Sequence, residues 1–363
     1  MKITKIQSQV IRVPVDEPLA DGPGTPGAMR EFVALRVGTD EGIEGIGYTF
    51  FGAALTGALK HAVDALGALA VGEDPLRTEA VAAKLRAAAA GSGPGGLLTL
   101  ALSAIDIALW DIRGKSLNLP LWRMIGGHRE RVPTYASGAL MRTFPLDHLV
   151  KAAPRLVEKG FRQMKTQLAL PGDTSPEKEV ERIRRVRESI GPGIDLMCDI
   201  NQRWRVDQAI DIGTRIEDAH LYWLEDVTTA DDYQGLARVT GALATPIAGG
   251  EYLYGPAPHR QMMEARSVDI VMIDLMRAGG ITQWLKIAGM AEAFNLPVVS
   301  HLVPEIHVHL IAAIPNGLTV EYMPWTFKIF EEVPVPVNGE LEVPRKPGLG
   351  LKFDEAALKR YAV

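Results

Sequence analysis

From Arg131 to Pro324 the chain repeats one unit, a short apolar strand with a polar residue near its end, followed by an amphipathic helical stretch. The strand segments read RVPTYASG, FRQMKTQLA, IDLMCDINQ, HLYWLEDV, TPIAGGEYL, VDIVMIDL, LPVVSHLV and GLTVEYMP. Helical patterns near 146–159, 176–189, 206–217 and 231–240 separate the earlier ones. Strands joined through helices cannot form hairpins and pair in parallel, so eight such units predict a (β/α) barrel. The polar strand-end residues keep step with it. From 199 to 225 is 26 residues, from 225 to 251 is 26, from 251 to 274 is 23, and from 274 to 301 is 27. Each residue therefore takes the equivalent place on the next stave, at the mouth where barrel enzymes collect their chemistry.

Asp199, Glu225 and Glu251 end three successive strands. Converging without a cation they would repel one another and raise each other's pKa. A hard divalent ion resolves the conflict, and oxygen-only ligation favours Mg²⁺. Side chains at i and i+2 share a strand face, so Lys165 points with Gln167, and Asp199 with Asn201. By the same alternation Asp226 points away from Glu225 and is not counted as a ligand. Asp274 and His301 lie on adjacent staves; a carboxylate on Nδ1 would fix the tautomer and leave Nε2 to move a proton. His307 and His309, in the next helical stretch, read as core residues. Glu321, on the last stave, reads either as a structural acid or as a protonated hydrogen-bond donor, which requires a raised pKa. Lys165 has three readings: partner of a metal carboxylate, binder of a substrate carboxylate, or base if its pKa is lowered.

The N-terminal residues have a different rhythm. Lys2–Val13 alternates as a strand, and Phe32–Val37 and Gly45–Thr49 follow across a turn at Thr39–Gly42, as in a small antiparallel sheet. Leu19–Met29 is a Gly/Pro-rich loop, either a solvent loop or an active-site lid. Asp21, Arg30 and Glu31 lie in or beside it. Residues 56–115 turn helical, and the tail after Trp325 is Pro-rich, with a strand signal at Glu340–Val343. That tail is expected to pack back on the N-terminal region. A net charge of −5 argues against nucleic-acid or membrane-surface binding. The lone Cys198 excludes an intramolecular disulfide and a zinc–thiolate cluster, and with no signal-peptide pattern at the N-terminus the expected home is the cytoplasm.

At this point the chain resembles the enolase superfamily and, within it, the mandelate racemase subgroup. SAIDIALWDIRGKSLNLPLWRMIGG resembles the signature at the junction of cap and barrel. MCDINQRW, WLEDV and GGEYL resemble the three metal-ligand segments; DLMRAGGITQW and SHL carry the dyad, and VEYMPW the final strand Glu. The resemblance implies an α/β fold, a modified (β/α)7β TIM-type barrel over residues 128–325. An N-terminal α+β capping domain over 1–127 is completed by the tail, 326–363. It implies cap loops that close the mouth, at Leu19–Met29 and near Phe50–Leu55, and a homo-oligomer, dimer or octamer. It also implies abstraction of the proton α to a carboxylate, with Mg²⁺ stabilising an enediolate; enolase-type sites of this kind are a standard example of the chemistry.

One departure redirects the reading. The subgroup commonly carries Lys-x-Lys at the end of its second strand, the second Lys being a base opposite His. Here the motif is Lys165-Thr166-Gln167. Glutamine cannot take a proton from carbon, so two-base racemisation loses its partner. A single His301 can serve both steps of a syn elimination. The leading expectation is dehydration of a sugar acid to a 2-keto-3-deoxy acid. Cycloisomerisation of a lactone or anhydro acid comes next, then racemisation or epimerisation of a 2-hydroxy acid; a metal-dependent carboxylate-binding protein is the non-enzyme alternative. Trp204, Met141 and Arg142 are further candidates for the mouth, Arg142 as a weak candidate for a distal carboxylate or a surface residue.

Overall fold

A computed structural model describes residues 1–20, 27–170, 172 and 175–363. Asp21 and most of the Gly/Pro-rich loop lie outside the described residues. The N-terminal strands β1 (Ile3–Pro14), β2 (Met29–Thr39) and β3 (Glu44–Thr49) form an antiparallel sheet in that order. The helix Leu97–Leu117 lies against it and has almost no polar face. The reason is its position between sheet and barrel: a Cβ on Gly47 would stand 2.1 Å from the Ala104 carbonyl, so β3 touches the helix backbone directly. On its other side Trp110 Nε1 donates to Thr282 Oγ1 at 2.8 Å, and Asp106 accepts the Thr282 N–H at 2.9 Å.

The barrel strands are β4 (Arg131–Leu140), β5 (Gln163–Gln167), β6 (Asp195–Asp199), β7 (Trp223–Glu225), β8 (Ile247–Gly249), β9 (Ile270–Asp274), β10 (Val298–His301) and β11 (Val320–Tyr322). They run in parallel in the order β10-β9-β8-β7-β6-β5-β4-β11. The ring closes through Leu318 N–H to Val298 O at 2.9 Å and Val298 N–H to Asn316 O at 2.8 Å. The alternating strand pattern decides what fills it: Tyr135, Met197, Trp223, Met272 and Val299 pack as a separate interior cluster. That plug is the floor on which the polar strand ends stand. Local chemistry starts the helices where the apolar period begins. Ser175 caps Pro176–Ile190 with proline in its first turn, and Asp232 caps Tyr233–Ala242.

The tail divides its packing between the barrel and the N-terminal region on which it was expected to fold back. Its strand β12 (Glu340–Glu342) pairs antiparallel with Arg131–Pro133 of β4, on the barrel. β4 is 10 residues long and β5 only 5, which leaves the start of β4 an open edge that a returning strand satisfies. The end of the tail reaches the N-terminal sheet, where Ala362 bridges Ile11. Among the described residues no helix is long and apolar enough to cross a membrane.

Candidate active site

Parallel register brings the polar ends together. Gln167 is level with Asp199, Asp199 with Glu225, and Asp274 with His301. Gln167, Asp199 and His301 line a cavity of about 370 Å³ at the barrel mouth, with Lys165, Glu251 and Glu321 also in its wall.

Oxygens of Glu225, Asp226 and Glu251, all buried, lie within 4.8 Å of one another. Asp226 was expected to point away from Glu225. It does not, because φ is +45° there: the strand ends at Glu225, and strict alternation stops with it. Asp199 is outside this closest group. Its carboxylate accepts the Asn201 N–H at 2.8 Å and the Gln167 amide at 3.4 Å. Burial and mutual repulsion outweigh nearby cations and push Glu225 and Glu251 each up to about 8, and Asp226 well above the carboxylate range. Asp226 Oδ2 and Glu251 Oε2 have no hydrogen-bond partner. Buried, acceptor-only oxygens in excess of donors form a set that a hard divalent cation fits.

His301 Nδ1 meets Asp274 Oδ2 at 2.7 Å, the hydrogen bond expected of a dyad. The second oxygen of Asp274 accepts the Arg277 N–H at 2.7 Å, so the carboxylate also caps the next helical turn. His301 Nε2 stands 3.3 Å from Glu251 Oε2. Burial alone would lower His301, but Glu251 and Asp274 raise it to about 9. Opposite, Lys165 Nζ bridges Glu225 Oε1 at 2.5 Å and Glu321 Oε1 at 2.9 Å. Those carboxylates overcome its burial and hold Lys165 well above its ordinary value. Glu321 is drawn down to about 2 against its burial, chiefly by Lys165, and its Oε2 accepts the Leu302 N–H at 2.6 Å. Both of its oxygens thus face donors, Lys165 Nζ and the Leu302 N–H, an arrangement that favours the carboxylate over a protonated donor.

Asn201 joins the two sides of the mouth, accepting from Arg142 and donating to the Tyr252 hydroxyl at 3.2 Å. Arg142 is buried rather than at the surface, with Nε donating to Leu168 O at 2.6 Å. Met141 also lines the cavity, whereas Trp204 is buried outside it. Arg30 lies 3.7 Å from the centroid of Trp325, a cavity residue, while Glu31 pairs outward with Arg12. His307 and His309 are fully buried and bonded to backbone carbonyls. Sequence reasoning missed Tyr252 and Arg277 and reached Phe51 only as part of the cap-loop segment near Phe50–Leu55; all three are in the cavity wall. Tyr252 follows a strand-end Glu, and Arg277 sits one helical turn past Asp274, spacings that carried the signal. Nothing local singled out Phe51.

A capped parallel barrel with acidic strand ends facing a His–Asp pair defines a class of carboxylate-processing enzymes. The description "Mandelate racemase / muconate lactonizing enzyme, N-terminal domain" matches residues 6–126, and "Enolase C-terminal domain-like" matches 148–357. The chain belongs to the mandelate racemase / muconate lactonizing enzyme family of the enolase superfamily. It is 32% identical to the 3,6-anhydro-alpha-L-galactonate cycloisomerase of Streptomyces coelicolor, over 99% of each chain. It is also 32% identical to the L-talarate/galactarate dehydratase of Salmonella typhimurium, over 98% of this chain and 90% of the relative. The crystal structure of L-talarate dehydratase from Polaromonas sp. JS666, complexed with Mg and L-glucarate, superposes with a TM-score of 0.92. That likeness covers 100% of this chain and 97% of the other at 30% identity.

Proposed function

We propose that this protein is a Mg²⁺-dependent acid-sugar dehydratase, in which His301 alone moves both protons of a syn elimination. The observation that carries this is the asymmetry of the mouth: a His–Asp dyad on one face, and on the other an amide, Gln167, with a lysine locked between two carboxylates. His301 Nε2 takes the proton from the carbon α to the substrate carboxylate, while Asp274 holds Nδ1 and stabilises the imidazolium. The electron pair left behind expels the neighbouring hydroxyl. Imidazolium returns the proton to that oxygen, water leaves, and the enol rearranges to a 2-keto-3-deoxy acid. Lys165 orients the substrate carboxylate, and Asn201 and Gln167 contact its hydroxyls.

Asp199, Glu225 and Glu251, with Asp226 beside them, are the residues that would hold the cation, which when bound supplies positive charge for the developing oxyanion. Residues 1–127 with the end of the tail 326–363 act as the cap, over a barrel of 128–325. Cycloisomerisation of an anhydro sugar acid is the second reading, favoured by the Streptomyces coelicolor relative, which is matched over its full length.

A screen of galactarate, D-xylonate and 3,6-anhydro-L-galactonate with Mg²⁺ tests the proposal. The dehydratase yields 2-keto acid with loss of water, and a cycloisomerase yields an isomer of unchanged mass. His301→Asn should lower either activity by roughly 10²–10⁴-fold. Activity that survives that substitution refutes the mechanism.

A further inference from the structure

Phe51 reaches the site from the segment just after β3. Its backbone is left-handed at φ +70°, and Ala53 two residues on is at +44°. Such angles are uncommon for residues with a Cβ and persist where the surroundings hold them. Two contacts hold Phe51. Its ring lies parallel to the His301 imidazole, with centroids 6.2 Å apart and planes 9° from each other. The Arg277 guanidinium sits 3.9 Å from the same ring's centroid and 4.9 Å from that of Tyr252, within cation–π reach of both.

Arg277 in turn fixes the dyad's neighbours. Its Nη1 donates to Glu251 O at 3.1 Å, and its backbone N–H caps Asp274 Oδ1. One ring from the N-terminal segment therefore rests on the proton-transfer residue and on the arginine that pins both Glu251 and Asp274. The base of that segment is anchored separately. The Tyr48 hydroxyl donates to Glu305 Oε1 at 2.5 Å, and Thr326 donates to the same carboxylate. Removing the Phe51 ring thus leaves the junction of sheet, barrel and tail in place.

We propose that Phe51 is a positioning residue for proton transfer, which sets the His301 ring and the Arg277 guanidinium so that dyad geometry depends on the N-terminal segment being docked. The inference rests on the α-proton abstraction read above. A ring set about 1 Å out of place is enough to cost on the order of 100-fold in rate.

The test uses the full-length Mg²⁺-loaded protein and Phe51→Ala, Phe51→Leu and Phe51→Tyr. Each is measured for α-proton exchange in D₂O and for product formation with galactarate, D-xylonate and 3,6-anhydro-L-galactonate, with thermal melts to verify folding. In Phe51→Ala, exchange and product formation should fall together by on the order of 100-fold in kcat, with KM little changed. Phe51→Tyr, which keeps a flat aromatic face, should restore the rate; Phe51→Leu, which keeps apolar bulk alone, should not. A raised KM with intact kcat would make Phe51 a substrate contact and overturn the inference. So would full activity in Phe51→Ala, or rescue by leucine equal to that by tyrosine. If the wild type exchanges none of these acids, the functional reading itself fails and the inference falls with it; an active wild type with an equally active Phe51→Ala sinks the inference alone.

Discussion

Lys165→Met isolates the charge balance at the centre of the site. Lys165, Glu225 and Glu321 have side chains 4%, 0% and 1% exposed, so water cannot replace the lost ammonium. Glu321 is held from an ordinary 4.5 down to about 2, with Lys165 the largest favourable cause. At about 1.4 kcal/mol for each pH unit, that corresponds to roughly 3 kcal/mol of stability. The figure agrees with the ~3–5 kcal/mol lost when one partner of a buried ion pair is removed. The sign follows from linkage. A depressed carboxylate pKa gives the wild type stability that is present above pH 4.5 and disappears only as the pH falls toward 2. In the variant Glu321 is buried without its cation, so its pKa rises above 4.5 and stability drains away as the pH climbs through the new value. The deficit should therefore be about 3 kcal/mol at pH 5, where the wild-type contribution is already nearly complete, and clearly larger at pH 8, where the variant has also had to ionise the unpaired Glu321. Urea unfolding of both proteins in EDTA at the two pH values measures it. A deficit equal at both, or one below ~1 kcal/mol at pH 8 as for an exposed pair, would refute the reasoning.

Cation binding should tighten as pH rises toward about 8, because Glu225 and Glu251, pushed up to that value, must lose protons to bind. Calorimetric titration of Mg²⁺ in buffers of different ionisation enthalpy should show proton release, and affinity that is flat between pH 6 and 9 would contradict it. Saturation at a hundredfold over Kd should add about 2.7 kcal/mol to unfolding stability. Gln167→Lys places an ammonium where the amide now is and should bring in epimerisation at the α-carbon. NMR of recovered substrate would reveal the epimer, and stereochemically pure substrate would count against Gln167 as the feature that sets the reaction. Gly138→Ala should cost about 1–3 kcal/mol, since φ is +90° and the new Cβ would stand 2.7 Å from Glu17 Oε2. An unchanged melting temperature would rule out that close approach.

Most of the barrel was legible because its determinants are local and periodic. Alternating apolar residues define each stave, and a constant interval between polar strand ends fixes their register. Asp199, Glu225, Asp274 and His301 could thus be placed on neighbouring strands without coordinates, and the pairing puts Asp199 level with Glu225 and Asp274 level with His301. What the period could not carry were departures from it. Asp226 belongs with Glu225 and Glu251 because one left-handed residue ends β7, and a rule built on alternation has no place for that. Protonation states were equally out of reach. Whether Glu321 is a neutral donor or an anion depends on Lys165 Nζ lying 2.9 Å away in a buried site, a distance no spacing encodes.

The sequence by itself determined the order of staves, the residues at their ends and, at position 167, an amide rather than an ionisable side chain, since all of these reside in the chain's own period and residue types. The tertiary structure decided how those residues divide the charge among them, where the tail finds its partners, and that Phe51 rests on His301 and Arg277. Those outcomes depend on closing a ring and docking one segment on another, and contacts between residues hundreds of positions apart leave no periodic trace in the chain.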